Sequence, residues 1–274
     1  MKLSKHIIPY IGSRKCADIC AAVIYELINR LRSLGLSPRY ICDIIVLMKS
    51  LFKFAERIHQ CPYRLDGIDL PKSRKPDITI LSGEEQLKLT TYAVKCPAAV
   101  SLGTVISLYT GIRIGELCAL QWKDIDLIKR ELTVRKTIQR IQSFEPGRKT
   151  KLVIMPPKSE SSVRTIPIPG HLIDILKRYK GTDDDFVLSG CGSPIEPRHL
   201  QYQFKRLLLN AKLPSVTFHS LRHAFASRCI ELGFDVKALS EILGHSSVEI
   251  TLNRYVHSSF ETKKAYMDRL TFAA

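Results

Sequence analysis

Thr217-Phe218-His219-Ser220-Leu221-Arg222, then Leu243-Gly244-His245, then Thr251-Leu252-Asn253-Arg254-Tyr255: this stretch near the C-terminus decides the fold. Phe218, Leu221, Phe225, Cys229 and Leu232 recur at the spacing of one buried helix face, with Thr217 as its N-cap. His219 and Arg222, three apart, project from the same side of that helix's first turn. The N–H groups and positive dipole end of such a turn suit an anion. Val236, Leu239 and Ile242 define a second helix, which Gly244 closes, so that His245 falls in the turn. Val248, Leu252 and Tyr255 share one face of a third. Singly these segments have ordinary readings: a solvated turn histidine, a half-buried packing tyrosine. His219 and His223 are four apart, but no glutamate follows the first histidine and no third ligand is apparent, so no metal is expected.

Upstream, the apolar run containing Val105, Ile106, Leu108 and Tyr109 ends at Thr110-Gly111-Ile112-Arg113-Ile114-Gly115-Glu116. A guanidinium at Arg113 matches two phosphate oxygens, and a carboxylate at Glu116 is placed to orient it. Ser82-Gly83-Glu84-Glu85 reads as a capping box that opens a helix. Leu132–Val134, Leu152–Met155 and Arg164–Ile168 read as strands. Helical spacing returns at Leu172, Ile175, Leu176 and Tyr179, and again at Leu200, Phe204, Leu207 and Leu208.

The order and spacing of these segments resemble the tyrosine recombinase (phage integrase) family. Its catalytic domain carries T-G-x-R-x-x-E, then H-x-x-R, then L-G-H, then a tyrosine about ten residues later. The matching positions are Arg113, Glu116, His219, Arg222, His245 and Tyr255, and the resemblance spans about residues 77–260. Pro156 to Pro167 resembles the family's β-hairpin with its catalytic lysine. Lys158 is the candidate there, with Lys136, Lys149 and Lys151 as competitors. The resemblance implies Tyr255 as nucleophile forming a 3′-phosphotyrosyl intermediate, Arg113 and Arg222 on the phosphate, and Lys158 protonating the 5′ leaving oxygen. It further implies His219 and His245 handling protons and phosphate oxygens, and Glu116 holding the arginines. The insert between Gln142 and Thr150 and the T-G-x-R-x-G-E pattern look more like integrases of mobile elements than chromosome-dimer resolvases. Neither ATP nor a metal is required, and no cofactor is expected.

The first 76 residues read as small helices. Cys20, Val23, Ile24, Leu27, Ile28, Leu31 and Leu34 mark one that Gly35 closes. Ser37-Pro38 starts a second, carried on by Ile41, Ile44, Ile45, Met48, Phe52 and Ala55. This segment holds 14 Lys plus Arg and 6 Asp plus Glu, so 14 − 6 gives +8. That is half of the net +16 carried by all 274 residues, and it points to a polyanionic partner. Arg39, Lys49, Lys53, Arg74 and Lys75 are the expected DNA contacts. Pro71–Pro76 is a basic, proline-bounded linker. The expected architecture is therefore mixed α+β. A small all-α core-binding domain (1–70) is followed by a linker (71–80). A mainly α catalytic domain with a small antiparallel sheet (81–274) completes it. In the family the two domains clamp duplex DNA at core sites. Protomers pair on a site and form tetramers in synapsis, in part through a C-terminal helix such as the one marked by Phe260, Lys263, Lys264, Tyr266, Met267 and Leu270. Self-docking of that helix reads equally well here. Relatives usually carry a further DNA-binding domain before this point, so binding to distant arm-type sites is not expected.

Composition narrows the alternatives. With 45% hydrophobic and 25% charged residues the chain can bury a core. Apolar runs such as Ile44–Met48 are far short of the roughly 20 residues of a membrane span, and the N-terminus lacks a signal core. A cytoplasmic, bacterial or phage-encoded, nucleoid-associated protein is expected. Eight scattered cysteines without a Cys-x-x-Cys pair read as buried, reduced thiols. Two rivals stay open: a type IB topoisomerase sharing the Arg-Lys-Arg-His-Tyr chemistry, and an integrase that binds DNA without cutting it.

Overall fold

The computed structural model describes residues 2–59, 65–71, 80–143, 145, 147, 149–156, 163–255, 264 and 267–268, with only the backbone for 253–255. The chain divides into two compact units, Met1–Asp77 and Ile78–Ala274. In the first, a π-helical turn leads into α1 (Ile8–Ile11), followed by α2 (Ala21–Ser33) and α3 (Pro38–His59). Gly35 lies beyond the end of α2 with φ of 71°, a conformation that glycine adopts at no steric cost. Ser37 accepts a hydrogen bond from the Tyr40 amide (3.3 Å) at the start of α3. The facing stripes meet as the periodicity requires, with Ile24, Leu31, Ile41, Ile44, Ile45 and Met48 fully shielded from solvent.

The second unit opens with α4 (Gly83–Lys95), whose capping box is complete: Ser82 Oγ accepts from the Glu85 amide, and Glu85 accepts from the Ser82 amide. Next come α5 (Ala99–Thr110) and α6 (Ile114–Cys118). The strands are β1 (Ile125–Asp126), β2 (Glu131–Val134), β3 (Thr137–Gln142), β4 (Thr150–Met155) and β5 (Arg164–Pro167). They are followed by α7 (Gly170–Tyr179), α8 (Pro197–Asn210), α9 (His219–Glu231), α10 (Val236–Leu243) and α11 (Val248–Tyr255). The fold is mixed α+β.

α5 runs through the middle of this unit, buried on nearly every side and packed against α4, α8 and α9. A helix apolar all round belongs in a core. Its buried hydroxyls at Thr104 and Thr110 bond the carbonyls of Val100 and Ile106, both at 2.7 Å, so neither is stranded without a partner.

The sheet differs from the single one expected. β1, β2 and β5 form one antiparallel sheet, and β3 and β4 form a separate two-stranded ribbon with Gln142 opposite Thr150. The two strands that flank the Pro156–Pro167 segment's undescribed residues, β4 and β5, do not pair with each other. The strand before it pairs with β3, and the strand after it pairs with β2, Leu132 facing Ile166. The physical reason lies at Arg135 and Lys136, which separate β2 from β3. Arg135 pairs with Asp124 (3.6 Å) and Lys136 donates to Gln121 Oε1 (2.9 Å). Both residues are thereby tied to the turn after α6, and the chain leaves the first sheet there.

The cysteines also divide. Cys118 and Cys229 are buried as expected, whereas Cys16, Cys20 and Cys191 are exposed. Cys61 lies outside the described residues. Burial pushes the Cys118 thiol up to about 12 and the Cys229 thiol up to about 11. Since the thiolate is the nucleophile, alkylation of the native protein with iodoacetamide at pH 8 is expected to label Cys16 and Cys191 and spare Cys118 and Cys229. Peptide mapping before and after addition of denaturant checks this; labelling of Cys118 in the native state would contradict its burial.

Candidate active site

The site is built around the C-terminal end of α10. Ser240 and Glu241 carbonyls are closed by the backbone: Gly244 donates to Glu241 (3.0 Å) and His245 to Ser240 (3.1 Å). Gly244, at φ 63°, makes that closure possible. The next three carbonyls point outward, as helix ends leave them, and each accepts from an arginine of a different element. Arg164 Nε on β5 donates to the Ile242 carbonyl (2.6 Å). Arg222 Nη2 on α9 donates to Leu243 (2.6 Å). Arg113 Nη2, just before α6, donates to Gly244 (2.8 Å). The partial negative charge of the helix end favours all three.

A second anchor fixes each guanidinium. Arg222 Nη1 donates to the carbonyl of Gly111 (2.8 Å), the glycine that ends α5 at φ 64°. A Cβ on Gly111 would lie 2.5 Å from the Phe225 ring, so the close packing of α5 on α9 needs glycine there. Arg113 Nη1 binds Glu116 Oε1 at 2.8 Å, and the Arg113 amide donates to Glu116 Oε2 at 3.1 Å. Arg164 grips the same carboxylate in a fork, Nη1 to Oε1 at 3.1 Å and Nη2 to Oε2 at 2.8 Å. Glu116 thus lies between two arginines. Burial pushes its carboxyl up, and the hydrogen bonds and charges of Arg164 and then Arg113 outweigh that effect, leaving it below its ordinary 4.5.

Exposure differs sharply among the three cations. Arg113 keeps 36% of its side chain exposed, whereas Arg164 keeps 6%. Arg222 is also buried. His245, half-buried in the turn after α10, has Nδ1 2.8 Å from the buried Thr251 hydroxyl of α11. The Thr251 contact thus fixes one ring nitrogen and turns Nε2 away from it. His219 opens α9 and is exposed, its ring edge-on to the buried His223 at 4.7 Å. Thr217 is not the N-cap; that position is Phe218, and the Thr217 hydroxyl instead meets the Ser220 hydroxyl at 2.9 Å. No group of three or more His, Cys, Asp or Glu fit to hold a metal occurs among the described residues.

The structure therefore joins Arg113, Glu116, Arg222 and the His245 turn, with His219 one turn from Arg222. Tyr255 ends α11, and its side chain lies outside the described atoms. Lys158 lies outside the described residues. Two of its competitors are engaged elsewhere, Lys136 with Gln121 and Lys151 with Glu145 at 2.9 Å, and the third, Lys149, is exposed. In the first unit Arg39 pairs with Asp43 (3.6 Å), Lys53 is exposed and Lys49 half-buried on α3; Arg74 and Lys75 lie outside the described residues. Arg164 was legible only as a strand residue. An arginine at an inward position of a short strand, between Val163 and Thr165, was the available signal.

Residues 80–262 match the family described as the phage integrase family. A tyrosine recombinase XerC-like protein of Caldanaerobacter subterraneus is 29% identical over 268 residues, covering 89% of this chain and 68% of its own. Tyrosine recombinase XerA of Pyrococcus furiosus is 32% identical over 81% of this chain and 71% of its own. The solved structure of the Tn1549 transposon integrase in complex with transposon right end DNA superposes with a TM-score of 0.75 at 26% identity, covering 98% of this chain and 92% of the other.

Because Glu116 titrates below its ordinary value in the folded state, the stability it contributes is present above pH 4.5 and is lost as pH falls below it. Glu116→Gln leaves the buried Arg164 without its counter-charge and is expected to cost about 3–5 kcal/mol at pH 7. Urea unfolding midpoints of the two proteins should converge as pH is lowered through 4.5. A gap unchanged from pH 7 to pH 3 would rule out the charged carboxylate as its source.

Proposed function

The chain belongs to the phage integrase family, and from that premise we propose that it cuts and rejoins duplex DNA at specific sites through a 3′-phosphotyrosyl intermediate. The observation that carries this reading is the gathering of Arg113, Arg222 and His245 around one helix end from segments as much as 131 residues apart. Two arginines locked by backbone carbonyls form a rigid, positively charged cradle, and a phosphodiester gains negative charge as a fifth oxygen approaches phosphorus.

In this mechanism the Tyr255 oxygen attacks the scissile phosphorus while its proton passes to His219. Arg113 and Arg222 hold the nonbridging oxygens, and His245 hydrogen-bonds one of them. The bond from phosphorus to the 5′ oxygen breaks, and that oxygen takes a proton from Lys158. The tyrosyl phosphodiester retains the energy of the broken link. A 5′ hydroxyl from another strand reverses the step, with Tyr255 as leaving group, so joining consumes no nucleotide. Glu116 keeps Arg113 in place without touching the DNA.

The basic helical unit, with Arg39, Lys49, Lys53, Arg74 and Lys75, grips the duplex backbone and works with the catalytic unit on a core site. Residues 1–70 serve as the core-binding domain, 71–80 as linker and 81–274 as catalytic domain. Protomers act as a dimer on each site and as a tetramer in synapsis. Among the described residues no helix is long and apolar enough to cross a membrane. The protein acts in the cytoplasm, on the DNA of the element that encodes it.

Nicked duplexes carrying the DNA that flanks the coding sequence test the chemistry. With wild-type protein an adduct that survives a denaturing gel is expected, and with Tyr255→Phe none. Salt-sensitive binding with no adduct from either protein would leave a DNA-binding protein that does not cut. Affinity for the same duplexes is expected to fall by roughly 10³- to 10⁵-fold between 50 and 200 mM salt if about 6–10 phosphates are neutralised. A Kd flat across that range would remove the electrostatic basis of binding.

A further inference from the structure

We propose that Arg164 is a positioning residue of this site, holding Arg113 and the His245 turn in register without itself reaching the DNA; the inference rests on the recombinase reading above. Every nitrogen of its guanidinium is engaged: Nε on the Ile242 carbonyl, Nη1 and Nη2 on the two oxygens of Glu116. Unlike Arg222, whose terminal nitrogens rest on neutral carbonyls, Arg164 sets its fork on a carboxylate that already balances its charge. It meets three separate pieces of the site. Through Glu116 it fixes the carboxylate that binds both the side chain and the amide of Arg113. Through Ile242 it fixes α10 three residues before His245. Through its place in β5 it ties both to the strand that follows the segment holding Lys158.

Gly244 supplies an independent reason to read the contact as built rather than incidental. A Cβ at that position would lie 2.9 Å from Arg164 Cδ and 3.1 Å from Nε and Nη1. Since the guanidinium is held at all three nitrogens, it cannot swing aside. The glycine of the Leu243-Gly244-His245 turn therefore serves two ends: its positive φ turns the chain, and its missing side chain admits Arg164 against the helix end. A lysine at 164 would keep the charge but lose the fork that grips both carboxylate oxygens.

The test is single-turnover formation of the covalent adduct on the nicked duplexes, alongside duplex Kd, for wild type, Arg164→Lys, Arg164→Gln, Arg113→Ala and the Arg113→Ala/Arg164→Gln pair. Arg164→Gln is expected to slow adduct formation by roughly 10- to 100-fold, the scale of a misplaced reacting group, with Kd within about threefold of wild type. Arg164→Lys should fall between and remains usable if the glutamine variant fails to fold. In the Arg113→Ala background the further loss from Arg164→Gln should shrink at least about tenfold, because the group it positions is gone. A general loss of structure would instead multiply through unchanged. Adduct formation by Arg164→Gln at the wild-type rate, or an equal loss in both backgrounds, overturns the proposal. Absence of adduct from wild type counts against the recombinase reading instead. The proposal is then decided by the Arg113 side-chain N–H resonances, expected to be resolved in wild type and averaged in Arg164→Gln and Arg164→Lys. Unchanged resonances overturn it.

Discussion

The three carbonyls at the C-terminal end of α10, two in the helix and one in the glycine that caps it, are the constraint on which the site depends. A helix end must find partners for its outward carbonyls or leave them to water. Here Ile242, Leu243 and Gly244 are bound by arginines from β5, α9 and the turn before α6. The satisfaction is mutual. Three guanidiniums crowded together would repel one another in a partly dry interior, and the helix dipole, Glu116 and the Gly111 carbonyl supply the compensating negative charge. Moving any one of these partners leaves a buried polar group unpaired, so the cluster behaves as one body.

Such a cluster is a costly way to hold a fold together. Replacing buried charges with apolar residues of similar size often stabilises a protein, and the second unit already has a large core around α5, Trp122 and Phe204. What the arginines contribute is orientation. Arg222 is bonded on both terminal nitrogens to backbone, and backbone cannot change rotamer. Arg113 is bonded once to backbone and once to a carboxylate that is itself clamped. The more exposed of the two is thus also the one with more ways to be adjusted.

Most of the helical architecture could be read from the sequence because its signals are local. The Ser82 capping box, Gly35, Gly111 and Gly244 each act within a turn or two of themselves, and the apolar stripes of α3 and α9 repeat at 3.6 residues. The strands were less legible for the opposite reason. Whether Leu152–Met155 pairs with β3 or with β5 depends on where Arg135 and Lys136 find partners near Asp124 and Gln121, which no short window contains. The site residues carried by ordered motifs were legible through their resemblance to a family. Arg164 was not, since its meaning lies in a carboxylate 48 positions away and a carbonyl 78 positions away. The start of α9 was misplaced by one residue: Thr217 accepts from the Ser220 amide through its carbonyl, and its hydroxyl meets the Ser220 hydroxyl instead of capping a backbone amide.

Apart from the short links of Arg113 to Glu116 and of Arg222 to Leu243, the bonds that assemble the cradle span 48, 78, 111 and 131 positions along the chain. Contacts of such long range are entropically expensive to close and form late in folding. During synthesis the helices around α5 can collapse as they emerge, while Arg113 waits for a carbonyl that the ribosome has yet to make. The basic N-terminal unit is finished long before that. A growing chain therefore completes its basic N-terminal unit well before the cradle can close, because the last carbonyls that Arg113, Arg164 and Arg222 need arrive only as synthesis passes the end of α10. The order of synthesis thus makes the site the last part of the fold to be assembled.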